Sequence, residues 1–318
     1  MISNDNTELT PITRFDGPAL AFDFPGLEIG VAEYEPGPTG CTVFCFPAGA
    51  VTAMDIRGGS VGVTGNFEWN HAICLAGGSL YGLEAASGAA AELFARRGHA
   101  TGFDQIALVS GAILYDFGPR DNAIYPDHRL GRAAVAAAVA GHFPLGRRGA
   151  GRSASLGKWF DVARAEPGGQ GGAFRQIGPT KIAVFTVVNA IGAIVNRQGQ
   201  VVRGNLDHAT GLRQPGIEEL ERRLTKREAA APVLGNTTLT VVVTNETLSS
   251  HALQQVGRQV HSAMARAIQP FHTAWDGDTL YAVTTNTVDN PDLNDVAVGV
   301  LASELAWDAV LSVAATAL

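Results

Sequence analysis

The 318-residue sequence predicts an α+β protein in which helices cover stacked β-sheets. Three observations predict it. The stretches Lys181–Asn189 and Leu239–Asn245 are rich in β-branched residues and nearly free of charge, the composition of strands buried on both faces. Two alanine- and glycine-rich segments, Ser79–Ala95 and Leu130–Ala140, suit helices packed tightly against a neighbour. Strands cluster along the chain without regular alternation with helices, which disfavours a doubly wound parallel sheet.

Composition narrows the function classes. Hydrophobic residues make up 46% and charged residues 17%, with 38 glycines, as in a folded, loop-rich protein long enough for one large domain or two intertwined lobes. Lys and Arg number 23 against 30 Asp and Glu, a net charge of −7 with no basic run, so neither nucleic acid nor an anionic membrane surface is an expected partner. Cys41, Cys45 and Cys74 form no zinc-type spacing and read as buried thiols of a reducing compartment. The acidic start Met1-Ile-Ser-Asn-Asp-Asn-Thr-Glu lacks the features of a signal peptide. Apolar runs are interrupted, at the C-terminus by Glu304 and Asp308, so no segment reads as a membrane span. A cytoplasmic protein without cofactor is the expectation.

In chain order, residues 1–14 read as a poorly ordered leader. Leu27–Ala32 and Cys41–Phe46 are short strands around a Gly37-Pro-Thr-Gly turn, and the glycine-punctuated stretch Gly58–Gly65 indicates close backbone packing. Asn70–Ala95 reads as the first strong helix, with Gly77-Gly78-Ser79 as a tight turn and N-cap, since the fuller phosphate-loop pattern is missing. Asp104–Tyr115 is the next strand and Leu130–Ala140 a helix. A loop, Gly146–Gly157, leads to Lys158, then come strand Lys181–Asn189 and a hairpin from Gly192 to Val201-Val-Arg-Gly-Asn205. A charged helical stretch, Glu218–Glu228, and an alanine-rich connector, residues 229–234, run into strand Leu239–Asn245. Leu248–Ala267 is a helix, Asp276–Thr285 a turn and strand, and Asp295–Leu318 the last helix.

Chemistry concentrates at Gly235-Asn236-Thr237-Thr238, which by itself reads as a turn opening a strand. A cut between Asn236 and Thr237 would give Thr237 a free α-amine beside its own hydroxyl, a nucleophile that carries its base; such an amine has a pKa of about 7.7–8.0. Asn189 and Tyr115, each closing an apolar strand, are candidate oxyanion donors, and Lys158 a candidate oxyanion stabiliser or tuner of the amine. Asp276-Gly-Asp278 places two carboxylates where they could orient that amine or hold a substrate ammonium. A calcium loop is excluded because Leu280, Tyr281, Ala282 and Val283 replace the oxygen ligands that should follow. The eight histidines show no metal-ligand spacing, and no Gly-x-Ser-x-Gly elbow is present. Each candidate, alone, also fits a structural role.

Longer motifs add to this. Asn70-His-Ala-Ile-Cys-Leu-Ala-Gly-Gly78, Tyr115-Asp-Phe117, Leu130-Gly-Arg-Ala-Ala134, Val201-Val-Arg-Gly-Asn205, Gly235-Asn-Thr-Thr238 and Gln269-Pro-Phe-His-Thr273 followed by Asp276-Gly-Asp-Thr-Leu-Tyr-Ala-Val-Thr-Thr285 occur together. In these the chain resembles the self-cleaving DmpA-type N-terminal-nucleophile hydrolases, nearest the branch that acts on 6-aminohexanoate oligomers, from Phe22 to the Trp307-Asp308 segment. The resemblance implies a single domain, residues 1–318, folded as an αββα sandwich and self-cleaved into 1–236 and 237–318. It implies Thr237 as nucleophile, supported by Lys158, Asn189, Asp276, Asp278 and Tyr115, no cofactor or metal, and a homo-oligomer, commonly a tetramer, of cleaved protomers. The implied substrate is a linear amide or oligoamide cut internally; an aminopeptidase and an uncleaved binding protein on the same scaffold are the alternatives, and the ornithine acetyltransferases are a fold relative whose motifs fit less well. Trp159-Phe160 and Ala274-Trp275 depart from the family pattern beside the site.

Overall fold

Strand alternation sorts the apolar side chains into three separate cores, and those cores define the layers. The computed structural model describes residues 1–159, 161–228 and 235–317; the expected connector at 229–234, Phe160 and Leu318 lie outside the described residues. The main strands are β1 (Glu28–Tyr34), β2 (Thr39–Ile56), β3 (Trp69–Ala76), β4 (Val109–Ile113), β5 (Gly169–Ile177), β6 (Thr180–Asn189), β7 (Thr237–Glu246) and β8 (Thr279–Val288). The helices are α1 (Glu84–Arg96), α2 (His128–Ala136), α3 (Gly216–Lys226), α4 (Ser250–Ala263) and α5 (Asp295–Thr316).

The sheet runs β5-β6-β7-β8-β2-β3-β4. Its hinge is β2. The second half of β2 pairs with β8 and the first half with β1 and β3, with a register break between Cys45 and Ala50. The strand thereby belongs to both halves of a sheet that folds back on itself. Between the halves lie Phe44, Phe46, Ile73 and Leu75 against Phe185, Val187, Leu239, Val241 and Tyr281. Outside one half, α4 and α5 place Val256, Val260, Ala306 and Val310 on Val184, Val242, Leu280 and Ala282. Outside the other, α1 and α2 place Ala85, Ala89, Leu130 and Ala134 on Val43, Cys45 and Cys74. Helix, sheet, sheet and helix follow one another, the layered αββα arrangement.

Several expectations are corrected. The expected helix Asn70–Ala95 divides into strand β3, a 3-10 turn at Ser79–Leu83 and helix α1. Both faces of β3 are covered, so its sequence shows no polar alternation to mark it as a strand. Within Asp104–Tyr115 only Val109–Ile113 is strand, leaving Tyr115 beyond its end. Residues 1–14 lie on the fold: Leu9 is 2% exposed, Ile12 exchanges main-chain hydrogen bonds with Glu33, and the Asn4 side chain bonds Tyr125 O and Asp127 at 3.1 Å. Helix α5 is, by length and composition, apolar enough to cross a membrane, contrary to expectation, but it packs on the sheet through Val298, Ala302, Leu305, Ala309 and Val313.

Helices α1 and α2 cross with backbones almost touching. A Cβ on Gly131 would sit 2.0 Å from Ala85 O, and one on Gly88 2.1 Å from His128 O. Gly131→Ala should therefore destabilise the fold by about 2–3 kcal/mol through overpacking, measured by denaturant unfolding. An unchanged midpoint would contradict the contact.

Candidate active site

Register brings three strand ends together. In β7, Leu239, Val241 and Val243 point into the core between the sheets, so Thr237, of the same parity, leaves the start of the strand on that face. β6 runs antiparallel to β7 and its last residue, Asn189, pairs with Thr237; Phe185 and Val187 put Asn189 on the same face. β8 runs parallel to β7, so the two strands start side by side. Asp276 bridges Asn236 just outside them.

At this junction the Asn236–Thr237 peptide is held on both sides. The Thr237 hydroxyl donates to the Asn236 carbonyl at 2.5 Å, and the Gly277 N–H donates to the same oxygen at 2.8 Å. The Thr238 N–H donates to Asp278 Oδ1 at 2.7 Å. Asp278, fully buried, receives on Oδ2 both the His272 main-chain N–H at 3.1 Å and its ring Nδ1 at 3.0 Å. Asp276 Oδ2 accepts from the Thr273 N–H and hydroxyl at 2.8 and 2.6 Å. The glycine-punctuated stretch packs here as expected, since a Cβ on Gly58 would lie 2.2 Å from Asp276 O.

Asn189 and Lys158 form the opposite wall. Asn189 Nδ2 donates to Tyr115 O at 3.0 Å and to Gly235 O at 3.3 Å, while its Oδ1 accepts from the Ser155 N–H and from Lys158 Nζ at 3.0 and 3.2 Å. Lys158 Nζ also reaches Ser155 Oγ at 3.0 Å. Far from being solvated, Lys158 is 6% exposed, and burial pulls its pKa down to about 7, only partly offset by the charge of Asp276. Burial and the neighbouring Asp278 push Asp276 up to about 6, against the pull of the Thr273 donors. Two groups drawn toward neutrality thus flank the Asn236–Thr237 junction, Lys158 through Asn189 and Asp276 through its main-chain bridge to Asn236, a pattern that clusters at functional sites.

Tyr115 departs from its expected place. It is 39% exposed, and its ring covers Gly235, where a Cβ would lie 2.4 Å from Cδ1. Gly235 adopts φ 78°, so glycine is required there on two counts. Beside it opens a cavity of about 360 Å³ bordered by Tyr115, Ser155, Lys158 and Gly235. All the residues singled out from the sequence meet here, though Tyr115 lends a carbonyl and a ring face. Two were missed. Gly277 supplies the N–H on the Asn236 carbonyl, and a Cβ there would crowd Thr237 Oγ1 at 2.7 Å; its position between two aspartates was the available signal. His272, inside the Gln269-Pro-Phe-His-Thr motif, adopts φ 59°, which lets its main chain and ring grip the same carboxylate oxygen.

This geometry agrees with what the chain is similar to. Residues 21–318 match peptidase family S58. The chain belongs to that family. It is 50% identical over 318 residues, covering 97% of this chain and 89% of the relative, to a 6-aminohexanoate-oligomer endohydrolase of Paenarthrobacter ureafaciens. It is 34% identical over 278 residues, 81% of this chain and 74% of the relative, to an uncharacterised aminopeptidase of Mycobacterium leprae. Among solved structures, the L-aminopeptidase D-Ala-esterase/amidase of Ochrobactrum anthropi, described as a variant of the Ntn hydrolase fold, superposes with a TM-score of 0.63 at 14% identity, covering 95% of this chain and 88% of that one. A Burkholderia β-aminopeptidase gives the same TM-score, 0.63, at 16% identity over 93% of this chain and 88% of that one. At such identities the two structures speak for the fold.

The raised pKa of Asp276 has a stability consequence. A folded-state pKa near 6, above the usual carboxylate value, stabilises the fold fully at low pH, and that contribution is lost as pH rises through about 6. In a Thr237→Ala background confirmed as one chain on a denaturing gel, Asp276→Asn should gain about 2 kcal/mol relative to its parent between about pH 4 and about pH 7, read from denaturant unfolding at both pH values. An equal difference at the two pH values would contradict the shift.

Proposed function

We propose that the protein is a self-processing amide hydrolase whose nucleophile is Thr237. The observation that carries this reading is the grip on Asn236–Thr237: the hydroxyl lies against the carbonyl it would attack, and the Gly277 N–H is already aimed at the oxygen that would take the charge. In maturation, Thr237 Oγ adds to the Asn236 carbonyl carbon and loses its proton. The C–N bond breaks, the Thr237 nitrogen takes up the proton, and an ester remains, which water hydrolyses to give fragments 1–236 and 237–318. Lys158, with its pKa near 7, can accept and return a proton in this step.

In the mature site the freed α-amine is the base. It takes the hydroxyl proton as Oγ attacks a substrate amide and passes it to the leaving amine; water then releases the acyl group. Asn189 Nδ2, relieved of Gly235 O, becomes an oxyanion donor, a contribution worth about 3–4 kcal/mol per donor. Lys158 adds positive charge from the Asn189 side, Tyr115 frames the acyl chain, and Asp276 and Asp278 orient the Thr237 main chain and amine. No metal or cofactor enters this scheme.

The substrate class follows from the relatives named for it. We assign linear amides of ω-amino acids, such as 6-aminohexanoate oligomers, cut internally. The Mycobacterium leprae relative supports a second reading, release of N-terminal residues from short peptides. Cleaved protomers would assemble as homo-oligomers, commonly tetramers, for which exposed Leu80, Tyr81 and Phe103 offer apolar surface. A cytoplasmic location is consistent with three buried free thiols.

Two measurements test this. Wild-type protein should run as two fragments on a denaturing gel, the smaller starting at Thr237, whereas Thr237→Ala should stay one chain with amidase activity lower by at least about a thousandfold. A full-length, active wild type would sink the reading. On a defined 6-aminohexanoate oligomer, internal fragments should precede monomer; monomer released alone from the start would favour the aminopeptidase.

A further inference from the structure

The cavity beside Gly235 has a charge balance that the hydrolytic scheme does not use. Gly235 lies on the acyl side of the Asn236–Thr237 bond, and Asn189 Nδ2 contacts its carbonyl at 3.3 Å. The space bordering Gly235, Tyr115 and Lys158 is therefore the space open to a substrate's acyl chain. Ala154, Val162, Ala165 and Pro167 give it apolar walls suited to methylenes.

Its charged groups are unequal. Glu166 is the one carboxylate among the described lining residues, and it is already occupied. Arg213 clamps its two oxygens at 2.6 and 2.7 Å, the Gly204 N–H donates at 2.7 Å, and Arg203 stands 3.8 Å away. Arg147 borders the same cavity and, among the described residues, has no carboxylate partner; its Nε makes one long contact, 3.4 Å, to Arg152 O. Its charge is felt at Arg203, beside Glu166: the Arg203 pKa, lowered first by burial, is lowered further by Arg213 and Arg147 against the pull of Glu166. Residues 229–234, Ala-Ala-Ala-Pro-Val-Leu, contain no ionisable side chain that could neutralise it. Lys158 borders the same cavity, with its Nζ on Asn189 Oδ1.

We infer that this cavity is an acyl subsite in which Arg147 selects linear acyl chains ending in a hydrogen-bond acceptor, an amide carbonyl or a carboxylate, over chains ending in an ammonium. The inference rests on the reading of Thr237 as an amide hydrolase and names the substrate end that its acyl side accepts. An ω-aminoacyl group with a free amine brings a positive charge toward Arg147 with no open carboxylate to receive it. The interior of an oligoamide presents a neutral carbonyl there instead. Internal cleavage then follows from electrostatics at one residue.

Three para-nitroanilides with the same scissile bond test it: 6-aminohexanoyl, N-acetyl-6-aminohexanoyl and adipoyl. Wild-type kcat/KM should favour the acetylated and adipoyl compounds over the free amine by at least about fivefold, the scale of an exposed charge pair. The adipoyl preference should shrink at high salt, as charge-based selection requires. Arg147→Lys should keep the order, Arg147→Gln should bring the ratios toward unity, and Arg147→Glu should reverse them in favour of the ammonium. Self-cleavage of each variant, read on the same preparation, reports an intact fold and nucleophile. A wild type that cleaves the free amine as fast as the others overturns the inference, and so do unchanged ratios in a self-cleaved Arg147→Glu. If wild type cleaves none of the three, the amide-hydrolase reading itself fails and takes the inference with it.

Discussion

The parallel pairing of β7 with β8 is the constraint on which the rest depends. It sets two strand starts side by side, so the Gly277 N–H and the Asp278 carboxylate meet the Asn236 carbonyl and the Thr238 N–H. Two hydrogen bonds, one on each side of Thr237, hold the peptide that the hydroxyl faces. The pair is itself held by what surrounds it. Val242, Leu280 and Ala282 are pressed by α4 and α5 on one side, and Leu239, Val241 and Tyr281 by the second sheet half on the other. A site at the edge of such a layered core inherits its rigidity.

The site also opposes the fold that carries it. Lys158 and Asp276 are buried deeply enough to move both toward neutrality, and burying charge costs free energy that packing elsewhere must offset. Ser155 and Asn189 satisfy Lys158, and Thr273 satisfies one oxygen of Asp276, so neither stands alone in an apolar core. Asn189 shows how one side chain serves several neighbours. Its carbonyl orders the Ser155–Lys158 wall, and its amide holds Tyr115 and Gly235. A substitution there would disturb the wall, the cavity and the Gly235 end of the Asn236–Thr237 segment together.

Relatives that share the fold at 14–16% identity and relatives near 50% identity bear on different levels of the protein. The layered scaffold survives wide sequence divergence because it depends on alternation and apolar volume. The cavity beside Gly235 is lined largely by loop residues, Arg147 among them, where charge can change without disturbing either sheet half.

The sequence by itself determined the class of fold and strands β6, β7 and β8, while β5 (Gly169–Ile177) went unread, and it singled out the residues that meet at the Asn236–Thr237 bond. Buried strands and small-residue helices announce themselves by composition, and Gly235-Asn236-Thr237 stands out because it joins a turn to a charge-free run. It misjudged β3, because a strand covered on both faces has no polar period, and Tyr115, because a ring lying over glycine looks in sequence like one closing a strand. It passed over Gly277, which acts through its main chain and was marked only by its place between two aspartates, and His272, which depends on a backbone angle that only the folded loop imposes. Tertiary structure alone decided that Lys158 is buried, that Asp276 and Asp278 take different partners, and that Glu166 is occupied while Arg147 is open. Each of these depends on which groups from distant segments come within about 3 Å, and hydrogen bonding and desolvation act only at that range.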